Sequence, residues 1–454
     1  MHRQVHLECD VAVIGGGPGG LSTAIAAARE GAKVILVERS AALGGAAASG
    51  LGILGYIDRG GHKALGGLAQ EYVDRLVAKR GSLGHDRCPV HNSITAISPD
   101  RFKIMAMELC REAGVQVIFG CELLDVMLEN RKIAGVRAYG KCTEIDIKAK
   151  LYADGTGDGD LAFMAGVPFV TGQDGTGVCQ PSTLMFTVTD FDLEKFYAFL
   201  EAHPEEVGIK EDYAKGYDIP FFRKTPSHCL IGLGRMIERA RAAGDFDVPR
   251  NQFIYIKTAH PALLAINTVR VTNIDASDPL ELSKGLAEGY RQIGVLMDFM
   301  NKYVPGFETA VIAQISPALG IRETRHFKAR TRLTKESMYA YRTDGETIAL
   351  CAYNVDIHSG TADHIDLGLL QKPFGMPYGC MVPEGVDNLL LTGRTIDVDT
   401  EVFAAARVMG PIIAMGEAAG VAAAQCVREG RQPADVDVKR VRETLLSHGA
   451  ILEV

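Results

Sequence analysis

The chain has 454 residues, 47% of them apolar and 23% charged, with 50 glycines and no tryptophan. At about 100–200 residues per domain this length gives two or three domains and a large buried core. The glycine excess has no Gly-X-Y period and no Ser or Gln tracts, which excludes collagen and low-complexity disorder, and a net charge of −8 argues against a nucleic-acid partner.

In chain order, Asp10–Ile14 reads as a short apolar strand, Leu21–Glu30 as an Ala-rich helix and Lys33–Glu38 as a second strand. Strand, glycine turn, helix and strand within about 30 residues form a βαβ unit with parallel pairing. Ala69–Lys79 and Arg101–Ala113 have amphipathic helical spacing, and Val115–Phe119 follows as a strand. Leu123–Glu129, Ile133–Ala138 and Ile145–Lys150 alternate like an antiparallel meander, and Leu151–Asp154 is a strand ending in a Gly-rich turn. Beyond Phe169 the texture changes: Leu184–Thr189 and Leu263–Val271 are strand-like, and Ser283–Tyr303 is helical up to Pro305-Gly306. Thr347–Tyr353 and Asn388–Thr392 are further strands. Phe403–Val427 is apolar, Ala- and Gly-rich, and interrupted by Arg407 and Glu417. Charges at mid-span are expensive in lipid, so this segment is expected as a buried helix, with no membrane span. Val438–Leu446 closes the chain as a polar helix.

Ten cysteines are scattered without a CxxC pair, so a zinc ribbon or redox dithiol has no local support and no metal site is expected. Small buried thiols in a reducing, cytoplasmic setting are the expected reading. His358 and His364 with nearby aspartates do not match a metal-ligand spacing either.

The strongest local signal is Gly15-Gly16-Gly17-Pro18-Gly19-Gly20, which holds G-x-G-x-x-G at 15, 17 and 20 between a strand and a helix. Gly15 permits the tight turn, Gly17 lets a pyrophosphate approach the backbone, and Gly20 lets helix and sheet pack closely. Free N–H groups and the dipole at the helix start favour the diphosphate. Glu38, followed by Arg39, ends the second strand where a carboxylate can accept ribose hydroxyls. NAD and FAD share this pattern. Three further features bear on the choice: Gly44-Gly45 just past Glu38; the turn Asp154-Gly155-Thr156-Gly157-Asp158; and Gly393-Arg394 followed by Met409-Gly410 at the front of the Ala-rich helix.

On these residues the chain resembles the FAD-dependent oxidoreductases of the glutathione-reductase/p-hydroxybenzoate-hydroxylase superfamily, and more closely the FAD-oxidored subgroup, related in fold to fumarate reductases. The subgroup's D-x-T-G-D-G-D-L-A is matched by Asp154 to Ala162, its G-[VI]-R-E-[TS]-R by Gly320 to Arg325, its D-I-H by Asp356-Ile357-His358, and its P-Y-x-C…N-L-L-x-x-G-R block by Pro377 to Arg394. The resemblance implies an α/β fold: a discontinuous Rossmann-like FAD domain, residues 1–167 and 375–454, with a mixed α+β substrate cap at 168–374. It implies FAD as cofactor, with Leu123 passing the adenine through main-chain groups and Asp154–Asp158 and Gly393-Arg394 closing around the ribityl and pyrophosphate. Pro18 and Gly19 belong to the same cradle.

It also places Arg322, Arg325 and His326 toward the flavin, where arginines would clamp a substrate carboxylate bidentately. His358 is the candidate acid or base near neutral pH, oriented by Asp356 or another carboxylate. The subgroup commonly continues its R-E-T-R with another Arg; here His326-Phe327 stands instead, which bears on the substrate more than on the cofactor. The expected activity is hydride transfer between a small carboxylate- or carbonyl-bearing substrate and flavin. A non-redox lyase, hydratase or isomerase step on a flavoprotein and an NAD-binding protein without flavin stay open, as does a homo-oligomer.

Overall fold

The computed structural model describes residues 3–209, 215–360 and 365–453, so His364 lies outside the described residues. The largest sheet has seven strands. Its centre is β1 (Arg3–Ile14), joined through α1 (Pro18–Arg29) to β2 (Val34–Glu38). β1 pairs in parallel with β2 on one side and with β3 (Thr143–Asp154) on the other. Gln116–Phe119 adds in parallel beyond β2. β4 (Leu389–Leu391) adds in parallel to the C-terminal end of β3, and Lys132–Gly140 pairs antiparallel with its N-terminal end.

One long strand, β3, therefore replaces the separate Ile145–Lys150 and Leu151–Asp154 strands expected from the sequence. No glycine, proline or turn residue separates Lys150 from Leu151, so nothing breaks the extended backbone. β1 is likewise longer than the apolar signal, because its first half alternates exposed and half-buried residues opposite Thr143–Ala149.

The Ala-rich segment forms two helices, Thr400–Ala406 and α2 (Met409–Glu429), with Arg407 and Val408 between them. α2 is long and apolar enough to cross a membrane by length and composition, but nearly every residue up to Cys426 is buried in the protein core. It lies against α1. A Cβ on Gly416 would meet the Gly19 carbonyl at 2.3 Å, and one on Gly420 the Thr23 carbonyl at 2.5 Å. Small residues four apart give one helix face a groove that backbone can enter. The buried Glu417 faces a different neighbour. Its carboxylate accepts from Leu68 N at 2.8 Å at the first turn of the helix Gly67–Ala78 and sits 3.5 Å from His448. That carboxylate complements the positive helix end.

A second apolar core lies around an antiparallel sheet ordered Cys229–Gly232, Phe253–Lys257, Leu264–Ile266, Phe186–Thr189 and Val311–Ile315, backed by the 25-residue helix Pro279–Tyr303. Asp278 caps that helix by accepting from Leu280 N and Glu281 N. The apolar residues between Phe327 and Phe374 pack mainly with the first core, whereas Cys88, Val90 and Ile94 pack with the second.

Candidate functional site

The carboxyl ends of β1, β2, β3 and β4 open on one cavity of about 1520 Å³. That exceeds the roughly 300–1,000 Å³ of a pocket for one drug-sized ligand. Its lining begins at Glu38, Cys121 and Leu123, passes Gly15, Gly17 and Gly155–Asp158, and reaches Arg322, Asp356 and His358.

The turn at the sheet edge is bare backbone by necessity. Gly15 has φ +98°, and a Cβ there would meet the Gly155 carbonyl at 2.3 Å. A Cβ on Gly20 would strike the Gly15 carbonyl at 2.0 Å, so α1 starts this close to the strands only with glycine. Gly17, in contrast, faces open cavity: the nearest atom to a Cβ there would be the Gly155 carbonyl oxygen, 3.8 Å away. Glu38 reaches back to the turn: one oxygen accepts from Gly16 N at 2.7 Å and the other from Ser40 N at 2.7 Å. Both oxygens keep lone pairs for a hydroxyl ligand.

Asp154 is buried and organises the second turn. It accepts from Thr156 N at 3.0 Å, Thr156 Oγ1 at 2.7 Å and Ala162 N at 2.9 Å. Burial pushes its carboxyl up to about 6, with those three hydrogen bonds pulling the other way. Asp158 accepts from Arg394 Nη2 at 2.5 Å and Thr324 Oγ1 at 2.9 Å, tying three distant segments together.

At the far end Arg250, Arg322 and Arg407 line the cavity together with the carboxylates Asp356 and Asp366. Arg407 Nη2 donates to Asp356 O at 3.1 Å and lies 3.5 Å from Oδ2. Arg322 donates to the Pro181 carbonyl, and burial with Arg407 and Arg250 nearby lowers its basicity. His358 Nε2 lies 3.4 Å from Asp356 Oδ2, and its Nδ1 is buried without a hydrogen-bond partner. The network thus assigns the proton to Nε2 and leaves Nδ1 as the basic lone pair. Burial lowers His358 to about 3 despite Asp356, with Arg322 and Arg250 adding to the effect. The imidazole is therefore neutral at physiological pH. Tyr353 Oη donates to Asp356 Oδ2 at 3.1 Å, and the Tyr353 ring stacks parallel to His91, centroids 6.1 Å apart.

Residues 10–445 match the FAD dependent oxidoreductase family. The chain belongs to that family. Among curated relatives it is 24% identical to digeranylgeranylglycerophospholipid reductase of Methanothrix thermoacetophila over 63% of this chain and 71% of that protein. It is 34% identical to thiamine thiazole synthase of Aeropyrum pernix over 29% of this chain and 44% of that protein. Among solved structures it is similar to a geranylgeranyl bacteriochlorophyll reductase-like protein from Thermoplasma acidophilum, at 13% identity and a TM-score of 0.47 over 98% of this chain and 85% of the other. The myxobacterial halogenase CndH aligns at 14% identity and a TM-score of 0.47, over 97% and 78%. These matches do not bear on the expected relation to fumarate reductases.

The family's FAD fits the cavity. Gly15, Gly17, Gly155 and Gly157 leave the backbone bare where a diphosphate must come close, and Gly393 (φ +149°) has no atom within 4 Å of where a Cβ would stand. Pro18, Gly19, Glu38, Arg39, Gly45, Leu123, Gly155, Thr156, Gly157, Asp158, Gly393, Arg394 and Met409 line the cavity with them. Gly20, Gly44, Asp154 and Gly410 stand behind the lining. Gly20 spaces α1 from the turn. Gly44 (φ +114°) packs on Phe102, and Gly410 packs on the Leu54 carbonyl, where a Cβ would be 2.3 Å from the oxygen.

The expected substrate residues divide. Arg322 and His358 line the cationic end. Arg325 also reaches the lining, but its guanidinium pairs with Asp160 Oδ1 at 3.0 Å and lies 4.2 Å above the Phe163 ring. His326 is off the lining. Its Nε2 is 3.0 Å from Glu323 Oε1 and its ring meets Phe403 edge-on. In the strand Arg325–Phe327 successive side chains point to opposite faces, so Arg325 and His326 cannot share the cavity. Sequence reasoning missed Arg250 altogether and noted Arg407 only as the residue before α2. It also missed Cys88, His91 and Cys229, two of which line the cavity.

Proposed function

We propose that this FAD-dependent oxidoreductase acts on a small substrate carrying at least one carboxylate. Arg250, Arg322 and Arg407 hold it while His358 handles the proton. One observation carries the reading: the arginines Arg250, Arg322 and Arg407 outnumber the carboxylates Asp356 and Asp366 that line the inner end of a cavity that otherwise fits FAD. A buried cationic site of this kind is relieved by an anion. Guanidinium groups present paired donors that match a carboxylate's two oxygens.

FAD, when bound, supplies the two-electron exchange. The protein's own residues do the rest. Arginine contacts fix the substrate against rotation and draw electron density toward the carboxylate. His358 Nδ1, neutral and unpartnered, accepts a proton from a substrate undergoing oxidation, and the imidazolium so formed returns it in the reverse direction. Asp356 orients the imidazole and stabilises it once charged, and is itself held by Arg407 and Tyr353. In this reading residues 1–167 and 375–454 hold the cofactor and 168–374 supplies most of the substrate contacts.

The test is anaerobic bleaching of the flavin by a panel of hydroxy acids, amino acids and cyclic carbonyl compounds, each beside its amide or ester. Bleaching by acids and not by their neutral counterparts is expected. Equal rates for an acid and its amide would refute the carboxylate reading.

A further inference from the structure

Cys88, His91 and Cys229 converge beside the cationic end of the cavity. Cys88 ends the strand Ser82–Cys88, His91 lies in the turn to Asn92–Ile97, and Cys229 opens Cys229–Gly232 in the second core. The Cys88 sulfur lies 3.4 Å from His91 Nδ1, and the Cys229 sulfur 3.3 Å from the same nitrogen. All three donor atoms fall within 4.8 Å of one another. A tetrahedral zinc ion has bonds of about 2.3 Å to sulfur and about 2.1 Å to nitrogen, which separates sulfur from nitrogen by about 3.6 Å. The observed separations are within a few tenths of an ångström of that value.

We propose that Cys88, His91 and Cys229 bind one Zn²⁺ ion whose fourth position, on the cavity side, takes water or a substrate oxygen. The donors are two thiols and an imidazole, a set that selects zinc over magnesium or calcium. Three protein ligands with one exchangeable position is the arrangement of catalytic rather than structural zinc.

The scaffold holds the donors in place before any ion arrives. Cys88 and Asn92 are register partners across the hairpin. Asn92 Nδ2 donates to Ala352 O at 2.9 Å, and Asn354 Nδ2 donates to Val90 O at 2.8 Å, which pins the turn carrying His91. Tyr217 Oη donates to Cys229 O at 2.7 Å. Strand positions locked by neighbours of this kind suit a metal site. His91 and Cys229 both line the cavity, so the uncovered side of the triad is the cavity side. Binding would release the two thiol protons to solvent and leave thiolates on the ion. Placing a substrate hydroxyl or carbonyl oxygen on the fourth position rests on the carboxylate reading above; the ion itself does not.

The experiment uses the flavin-loaded full chain, purified under reductant and free of substrate. Metal analysis after incubation with zinc and desalting should give about one Zn per chain. Cys88→Ser and Cys229→Ser should lose it while keeping their flavin. Cobalt exchange into the wild type should give the intense visible bands of tetrahedral sulfur-ligated Co²⁺, to the red of the flavin absorbance, and azide should shift them. The cobalt spectrum reports on the wild type even where a serine variant fails to fold. Less than about a tenth of an equivalent of zinc in the wild type, or undiminished zinc in both serine variants, overturns the site. Cobalt bands that azide leaves unmoved overturn the open position. Failure of the carboxylate reading would appear only in the flavin-bleaching panel, so the two can be told apart.

Discussion

Gly20→Ala adds one methyl group where the structure has no room for it. The new Cβ would lie 2.0 Å from the Gly15 carbonyl oxygen and 3.2 Å from both Gly15 C and Gly155 Cα, whereas ordinary contact begins at 3.4 Å. Both neighbours are backbone and anchored: Gly15 N donates to Val37 O and Gly155 N to Ile14 O, each at 2.7 Å. The helix must therefore move, by roughly 1.4 Å, against α2 on its other side. Overpacking of this kind costs about 1–3 kcal/mol, offset by up to about 1 kcal/mol from the better helix propensity of alanine.

The larger effect falls on the cofactor. Displacing the first turn of α1 weakens at least one N–H bond to a charged phosphate, about 1.5–3 kcal/mol, or roughly 10- to 150-fold in affinity. FAD titration by fluorescence should show that loss, and thermal unfolding without FAD a fall of only a few degrees. Gly294→Ala is the control. It also sits in a helix, but its Cβ would meet nothing within 4 Å, so it should leave FAD affinity unchanged. A Gly20→Ala protein with wild-type FAD affinity and melting temperature would refute the close-approach argument.

Other expectations follow from the site and its supports. His358→Asn should lower kcat/KM about 10²–10⁴-fold with FAD content unchanged, and wild-type kcat/KM should show no limb near pH 6.5, because His358 titrates at about 3. Arg407→Ala should raise the pKa of the Asp356 carboxyl, measurable by carboxyl NMR, and weaken binding of carboxylate inhibitors more than of their amides. Asp154, raised to about 6, favours the folded state in its protonated form. Its contribution is complete below the unfolded carboxylate value near 3.8 and is lost as pH rises through about 6. Denaturant titrations should show Asp154→Asn lacking that part of the pH dependence, at most about 3 kcal/mol. His448 is raised by its hydrogen bond to Glu417, so its stabilisation is present below pH 6.5 and disappears as pH climbs through the raised value. His448→Gln should flatten the melting temperature across that interval.

The cofactor side was legible in the sequence because its logic is local. A strand, a bare turn and a helix are consecutive, and each glycine between 15 and 20 answers a steric need set within a few residues. Asp154 was legible for the same reason, and its carboxylate bonds the turn from behind the cavity lining. The cationic end was only half legible. Arg322 and His358 carried family motifs, but Arg250 and Arg407 are separated from them by long stretches of chain and converge only through tertiary packing. His326 lies off the cavity lining because a motif gives neighbours in sequence, and strand geometry sends neighbours to opposite faces. The Cys88 and His91 pair has C-x-x-H spacing, yet its third member arrives from a sheet in the other core.

The late arrival of β4 sets an order of events for a growing chain. β3 has both its early partners once residues up to 154 exist, yet its C-terminal end stays unpaired until Leu389–Leu391 is made. α2, which covers α1, comes later still. At about 5–20 residues per second the gap between Asp154 and Leu389 lasts roughly 12–47 s. Through that interval the apolar faces of α1 and the strand end lie open to solvent, inviting chaperones and misassembly. The glycine turn at 15–20 is made early, but Gly393 and Arg394 on the lining of the same cavity follow about 370 residues later.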